Sequence, residues 1–224
     1  MIITLDLCLR RGGISVIDGL NMHIEQGEFA FICGQAGAGK TSLLRVFALQ
    51  MVPTEGRVII DGVDIAGIGQ NGLARYRCKL GIIFPELRLL PRRTLAENIH
   101  ISLKLAGWHW ADVRKETDKY LREVGLGGKA NLLPEEISEN ERQLLKVCRA
   151  LARRPKIILA DEPYEGLDWQ SIEKVVYLLR RAHLRGSTVV VATHHVEFAE
   201  QLGKRLIMLD RRSLGMKAKT SGVR

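Results

Sequence analysis

At 224 residues, with 46% hydrophobic residues, the chain can bury a sizeable core as one domain or as one domain carrying an insertion. Thirty-four Lys and Arg against 25 Asp and Glu leave a net charge of +9, which favours anionic partners such as a nucleotide, a nucleic acid or an anionic membrane face; a plain soluble basic surface has the same composition. No apolar run approaches the ~18 residues of a membrane-spanning helix, and the opening Met1–Asp6 is too short and too acidic for a signal peptide, so a soluble cytoplasmic chain is expected.

In chain order, the first third is strand-rich and punctuated by turns: Ile2 to Leu9, Asn21 to Ile24, Phe29 to Cys33, then Arg57 to Asp61 after the turn Pro53-Thr54-Glu55-Gly56. The segment Thr41 to Leu49 has apolar residues at helical spacing. A helical region begins near Pro85. Thr94 with Glu97 three residues on has capping-box spacing, and Leu95, Ile99 and Leu103 share a face. Val113, Tyr120, Leu121 and Val124 line a second helix over Asp112 to Val124, ended by Gly125, and a third helix starts at Ser138. Strands return at Ile157 to Ala160 and Thr188 to Ala192, on either side of a helix over Trp169 to Leu184. This alternation around a helical insertion predicts a parallel sheet covered by helices on both faces. A basic stretch from Arg211 to Arg224 reads as a tail able to touch lipid headgroups. Cys8, Cys33, Cys78 and Cys148 are far apart, form no Cys-x-x-Cys pair or zinc-spaced cluster, and are expected to be free buried thiols.

The chemistry concentrates at Gly34-Gln35-Ala36-Gly37-Ala38-Gly39-Lys40-Thr41, with Ser42 following, between the strand that ends at Cys33 and the helix. Glycines at 34, 37 and 39 let consecutive N–H groups face a polyphosphate at a helix N-terminus. Lys40 is placed to reach the β- and γ-phosphates of ATP and Thr41 to ligate Mg²⁺. The strand Ile157 to Ala160 ends in Asp161, suited to hold Mg²⁺, and Glu162, suited to orient or deprotonate the attacking water. His194, after a later strand, is placed to sense the γ-phosphate. No Asn-Lys-x-Asp motif supports a GTPase.

The order of this P-loop, the helical insertion, Leu159-Ala160-Asp161-Glu162-Pro163, Gly166-Leu167-Asp168 and Ala192-Thr193-His194 resembles the ATP-binding subunits of ABC transporters over nearly the whole chain. The resemblance implies a P-loop NTPase of the α/β class: a mainly parallel core sheet, an N-terminal antiparallel β subdomain and an inserted helical subdomain. It divides the single domain into a nucleotide-binding core at 1–84 and 155–210, a helical subdomain at 85–154 and a tail at 211–224. It also implies an ATPase using Mg²⁺, a head-to-tail homodimer closed by ATP, and a cytoplasmic position against an integral membrane subunit, with no specific nucleic acid.

Gly81 to Phe84, Leu87 to Pro91, Arg93 to Asn98, Val124-Gly125-Leu126 and Lys129-Ala130 are similar to cell-division ATPases of the FtsE type, implying an FtsX-like membrane partner and a role in division and cell-wall remodelling. Lipoprotein-releasing and macrolide-exporting ATPases share much of this insertion. That partner is expected beside Leu87 to Leu90 and the tryptophans Trp108 and Trp110.

The chain departs from the family in three places. Pro85 stands where a glutamine amide helps hold Mg²⁺ and the lytic water. The signature Leu-Ser-Gly-Gly-Glu-Gln reads Ile137-Ser138-Glu139-Asn140-Glu141-Arg142, so Ser138 is kept, and Glu139 brings a negative charge toward the opposite subunit's phosphate or turns away into water. The adenine-stacking aromatic is missing near Leu9 to Arg11, leaving Arg10 as a stacking candidate. Tyr164 in place of threonine is a smaller change. Two functional classes follow: a working ATPase with altered coupling, and an ATP-binding structural subunit with little turnover.

Overall fold

The computed structural model describes residues 1–202 and 204–209, without the side chains of residues 70, 71 and 75. The expected basic tail at 211–224 lies outside the described residues.

The chain opens with an antiparallel hairpin, β1 (Ile2–Arg11) and β2 (Ile14–Ile24), turned at Gly12 and Gly13, both left-handed. Next come β3 (Phe29–Cys33), α1 (Lys40–Phe47), β4 (Glu55–Ile60), β5 (Val63–Asp64), α2 (Gln70–Cys78) and β6 (Leu80–Ile83). Three helices follow with no strand between them: α3 (Leu95–Leu105), α4 (Trp110–Glu123) and α5 (Glu139–Leu151). The chain then returns to alternation with β7 (Ile157–Asp161), α6 (Trp169–Leu184), β8 (Thr188–Thr193), α7 (Val196–Gln201) and β9 (Arg205–Met208).

The strands form two sheets, an antiparallel one in the order β2-β1-β4-β5 and a parallel one in the order β6-β7-β8-β3-β9. In the parallel sheet, successive side chains go to opposite faces. Phe29, Phe31, Cys33, Ile158, Ala160, Val189 and Val191 enter one core with α3 to α6. Ala30, Ile32, Ile157, Leu159, Val190 and Ala192 enter the other, with α1 and the antiparallel sheet. Both faces are covered, which is why these strands read as continuous apolar runs. Burying side chains such as Phe31 and Phe47 completely contributes roughly 1.5–3 kcal/mol each.

The second strand extends to Ile14, well beyond the expected Asn21 to Ile24. Register shifts between Thr4 and Leu7, Leu7 and Leu9, and Leu9 and Arg10 break its alternation, and Asp6 sits at φ 47°. The expected helix starts hold. Thr94 Oγ1 accepts from Glu97 N–H at 3.2 Å while Glu97 accepts from Thr94 N–H at 2.8 Å, and Ser138 and Glu141 make the same reciprocal box. Asn98, fully buried, fixes the loop before α3 by accepting from Leu90 N–H and donating to the carbonyls of Leu90, Arg93 and Thr94.

The two tryptophans separate. Trp108 packs against the core with the Arg154 guanidinium over its ring, whereas Trp110 is 57% exposed beside His100 and Lys104. The thiols divide as well: Cys33 and Cys148 are buried, Cys8 is intermediate, and Cys78 is exposed because it ends α2 on the surface. Burial pushes the Cys33 thiol up to about 11 and that of Cys148 further, so neither is a nucleophile near neutrality.

Gly34 marks where the end of β9 seals the loop after β3: Leu209 N–H donates to Cys33 O at 2.7 Å, and a Cβ on Gly34 would stand 2.4 Å from Leu209 O. Gly34→Ala should therefore cost about 1–3 kcal/mol by overpacking, which is roughly 2–10 °C of Tm in a domain of this size. Gly67→Ala, whose Cβ meets nothing, is the control. A Gly34→Ala protein melting with the wild type would contradict this packing.

Candidate nucleotide-binding site

The parallel register brings the chemistry to one edge of the sheet. Cys33 pairs with Thr193 and Asp161 with Ala192, so the loops that leave β3, β7 and β8 emerge side by side.

After β3, the loop from Gly34 to Gly39 turns through left-handed Gly37 (φ 78°) and Gly39 (φ 95°) and closes with Ala38 N–H to Gln35 O at 3.1 Å. Gln35, Ala36 and Gly37 are exposed at its mouth; Thr41 and Ser42 are half-buried on the first turn of α1. That turn has no side-chain cap and no acidic residue, so its N–H groups and the helix dipole are left for an anion. Lys40 is 7% exposed, and its Nζ donates to the carbonyls of Gly34 at 2.8 Å and Gln35 at 3.2 Å. Among the described residues no carboxylate lies within ion-pair distance of it.

Asp161 ends β7 with 4% exposure, and its Oδ1 is buried without a partner. Burial pushes its carboxyl up, the Thr41 hydroxyl opposes this, Glu162 and Glu86 push the same way as burial, and the Lys40 charge opposes them. An orphaned carboxylate oxygen beside a threonine hydroxyl suits a hard divalent cation, and Mg²⁺ needs only one or two protein oxygens when phosphates supply others. No three His, Cys, Asp or Glu side chains among the described residues form a metal cage of their own. Thr41 and Asp161 thus fit Mg²⁺ carried in with a nucleotide.

Glu162 follows at φ 43°, a left-handed conformation that costs a residue of this type about 1–2 kcal/mol. Its backbone N–H donates to Ala192 O at 2.9 Å, and its carboxylate is held from β8: Oε2 accepts from Thr193 Oγ1 at 2.9 Å and Oε1 from His194 N–H at 2.8 Å. His194 Nδ1 also lies 2.8 Å from Oε1, and the His194 and His195 rings are 3.9 Å apart. The Nδ1 edge of the imidazole is thus committed to the carboxylate.

Two expected contacts look different in place. The Arg10 guanidinium faces Glu55 at 3.7 Å, and the residues found against the loop are Val16 and Ile17 of β2: Ile17 Cγ1 and Val16 O lie 3.1 Å, and Val16 Cγ1 3.2 Å, from where a Gly39 Cβ would be. At α5, Ser138 caps the helix with Glu141, which also pairs with Lys129. Glu139 turns to Arg142, 2.8 Å away, and Asn140 donates to Asp168, which caps α6 through Ser171 N–H at 2.7 Å. The replaced signature positions are satisfied within their own chain.

The family model described as ABC transporter matches residues 17–165. The chain belongs to the ABC transporter family. It is 36% identical over 200 residues to the methionine import ATP-binding protein MetN 1 of Rhodococcus jostii, covering 88% of this chain and 59% of that protein. It is 31% identical over 198 residues to the cell division ATP-binding protein FtsE of Bacillus subtilis, covering 88% and 87%. The dimeric, post-hydrolysis ATP-binding cassette MJ0796 bound to ADP and Pi superposes with a TM-score of 0.82 at 31% identity, covering 94% of each chain. The fold is that of an ABC ATPase, and ATP with Mg²⁺ is the cofactor of this family. The chain spans about 59% of the methionine importers it matches. The FtsE protein matches at lower identity than the methionine import proteins, so the expected FtsE subfamily is not specifically supported.

Thr193 and Val16 were missed in the sequence because neither residue type carries a signal; both follow only from the register that sets β8 beside β7 and β2 beside α1.

The raised carboxyl of Asp161 has a stability consequence. Its folded pKa lies above the unfolded value, so its contribution is favourable below the unfolded pKa and is lost as pH rises through the folded pKa. Asp161→Asn should raise the nucleotide-free Tm at pH 7 by roughly 2–4 °C, the worth of about 1 kcal/mol at this size. The gain should shrink as pH falls toward 4 in differential scanning fluorimetry. A lower Tm for Asp161→Asn at neutral pH would contradict an uncompensated carboxylate.

Proposed function

We propose that the chain binds Mg-ATP at the loop Gly34 to Ser42 and hydrolyses it slowly, as the ATP-binding subunit of a membrane-associated complex. The observation that carries this is a buried lysine with no carboxylate partner beside a buried carboxylate with an orphan oxygen, at an uncapped helix N-terminus. Lys40 and the backbone N–H groups bind the phosphates, and Thr41 and Asp161 would hold Mg²⁺, which would supply charge neutralisation at the γ-phosphoryl group. Glu162, fixed by Thr193 and His194, accepts a proton from water as the water oxygen bonds to the γ-phosphorus and the bond to the bridging oxygen breaks. Val16 and Ile17 border the base end.

The slow rate follows from chain-specific residues. Pro85 offers no amide to the water, and the α5 N-terminus spends Glu139 on Arg142 and Asn140 on Asp168. Ser138, the one signature residue retained among positions 138–140, is itself engaged as the cap with Glu141. Those engaged side chains also support a second reading, an ATP-binding structural subunit with little turnover.

The similarity to FtsE supports a cytoplasmic, peripheral role with an FtsX-like partner in division; the matches to methionine importers support solute import with a different membrane subunit. No described helix is long and apolar enough to cross a membrane. The exposed Trp110, not the packed Trp108, is the anchor on the helical insertion. The core at 1–84 and 155–210 and the insertion at 85–154 are kept as the two parts of the cassette.

Phosphate release by wild type, Glu162→Gln and Glu139→Gly with Asn140→Gly tests the reading. Loss of the general base should lower turnover by about 10²-fold or more. The double glycine variant should turn over faster and, combined with Glu162→Gln, sediment as an ATP-dependent dimer. No hydrolysis by any variant would favour the structural subunit, and wild-type rates unaffected by Glu162→Gln would remove the assigned role.

A further inference from the structure

Glu86 is a carboxylate that the scheme above leaves unused. In the register of the parallel sheet Ile83 pairs with Ala160, so Asp161 is the next residue at the end of β7 while Phe84-Pro85-Glu86 runs on beyond β6, the neighbouring strand. Leu87 N–H donates to Phe84 O at 3.1 Å, closing a turn that holds Glu86 near this edge. Glu86 Oε1 then takes an ion pair from Arg45 Nη2 at 2.9 Å. Arg45 lies four residues after Thr41 on α1, so the two share one face of that helix. Glu86 is thereby tied to the helix face that carries the hydroxyl assigned to the metal, on the strand side that carries Asp161.

An acidic group placed there by itself would be an ordinary surface ion pair. What points to a ligand is Asp161, 4% exposed, whose Oδ1 has no partner. Without a cation this edge holds three carboxylates, Asp161, Glu162 and Glu86, and the triphosphate would add further negative charge. Arg45 is engaged with Glu86, and Lys40 is directed to the loop carbonyls.

We propose that Glu86, held by Arg45 one helical turn from Thr41, is a second acidic residue of the Mg²⁺ site and faces the ion through water, where Pro85 supplies no polar side chain. Glu86 is a positioning residue: it acts on metal-bound water and raises the local demand for a divalent cation. The proposal rests on the Mg-ATP function proposed above. It also gives the sequence Phe84-Pro85-Glu86 a use, because the fixed φ of proline directs the following carboxylate while removing its own donor.

The test separates metal-dependent from metal-independent nucleotide binding, using Mn²⁺ as the probe and a non-hydrolysable ATP analogue. Free Mn²⁺ would be followed by electron paramagnetic resonance on wild type, Glu86→Ala, Glu86→Asp and Asp161→Asn. Glu86→Ala should weaken Mn²⁺ binding to the analogue-bound chain about ten-fold, as expected for removing one nearby carboxylate charge, and Glu86→Asp should restore part of it. In EDTA the same Glu86→Ala protein should bind the analogue as tightly as wild type or more tightly, because a negative charge facing the phosphates is gone. A misfolded variant would lose both, and a merely structural ion pair would move neither. Wild-type Mn²⁺ affinity in Glu86→Ala, with the affinity of Asp161→Asn reduced, would overturn the role of Glu86 and leave the nucleotide site standing. Failure of wild type itself to bind the analogue would overturn the Mg-ATP function and Glu86 with it.

Discussion

A lysine shielded from water and satisfied only by backbone carbonyls is the constraint from which the rest of this chain is best understood. Lys40 is held by Gly34 O and Gln35 O, with no carboxylate beside it among the described residues. Burying a charge without a counter-charge is costly, and the cost is recovered only when an anion arrives. The glycines at 34, 37 and 39 make the loop that holds it, and β9 closes the loop's root through Leu209. Asp161 is the mirror case, a buried carboxylate with one oxygen that no donor meets. Lys40 follows β3 and Asp161 ends β7, strands that flank β8 in the sheet, so a magnesium-bearing triphosphate at this edge would give the lysine its anion and the carboxylate its cation.

Around this shared family core the chain has shifted its polar contacts inward. Positions 139 and 140, where the family has glycine, carry side chains that bond within the same subunit: Glu139 to Arg142 and Asn140 to Asp168. The second bond links the start of α5 to the cap of α6 and so joins the helical insertion to the segment that follows Glu162. This engagement leaves Glu162 undisturbed, fixed by Thr193 and His194.

Much of this was legible in the sequence, and the reason is local chemistry. The runs Phe29 to Cys33, Ile157 to Ala160 and Thr188 to Ala192 announce buried strands because each side chain faces one of two cores. Thr94 and Ser138 announce helix starts because a capping box needs only four consecutive residues. The P-loop is equally self-contained. What could not be read depends on partners far away in the chain. The hairpin strand from Ile14 was masked by register shifts, α2 and α7 have short or weak apolar faces, and β9 is defined only by pairing with β3. The contacts of Asn140 with Asp168, Arg45 with Glu86, and Val16 with Gly39 span 28, 41 and 23 residues, and no spacing rule reaches that far. Cys78 was expected inside because cysteine is usually buried, yet it ends a surface helix.

The most direct measurement is a calorimetric titration of Mg-ATP into the wild-type chain and into Lys40→Ala and Lys40→Arg. If the loop exists to satisfy that buried ammonium, the wild type binds, Lys40→Ala loses about 10- to 100-fold as expected for one charge-assisted hydrogen-bonding group, and Lys40→Arg, too large for the loop, recovers little. Equal affinities for wild type and Lys40→Ala would show that the triphosphate sits elsewhere and would contradict the account at its base.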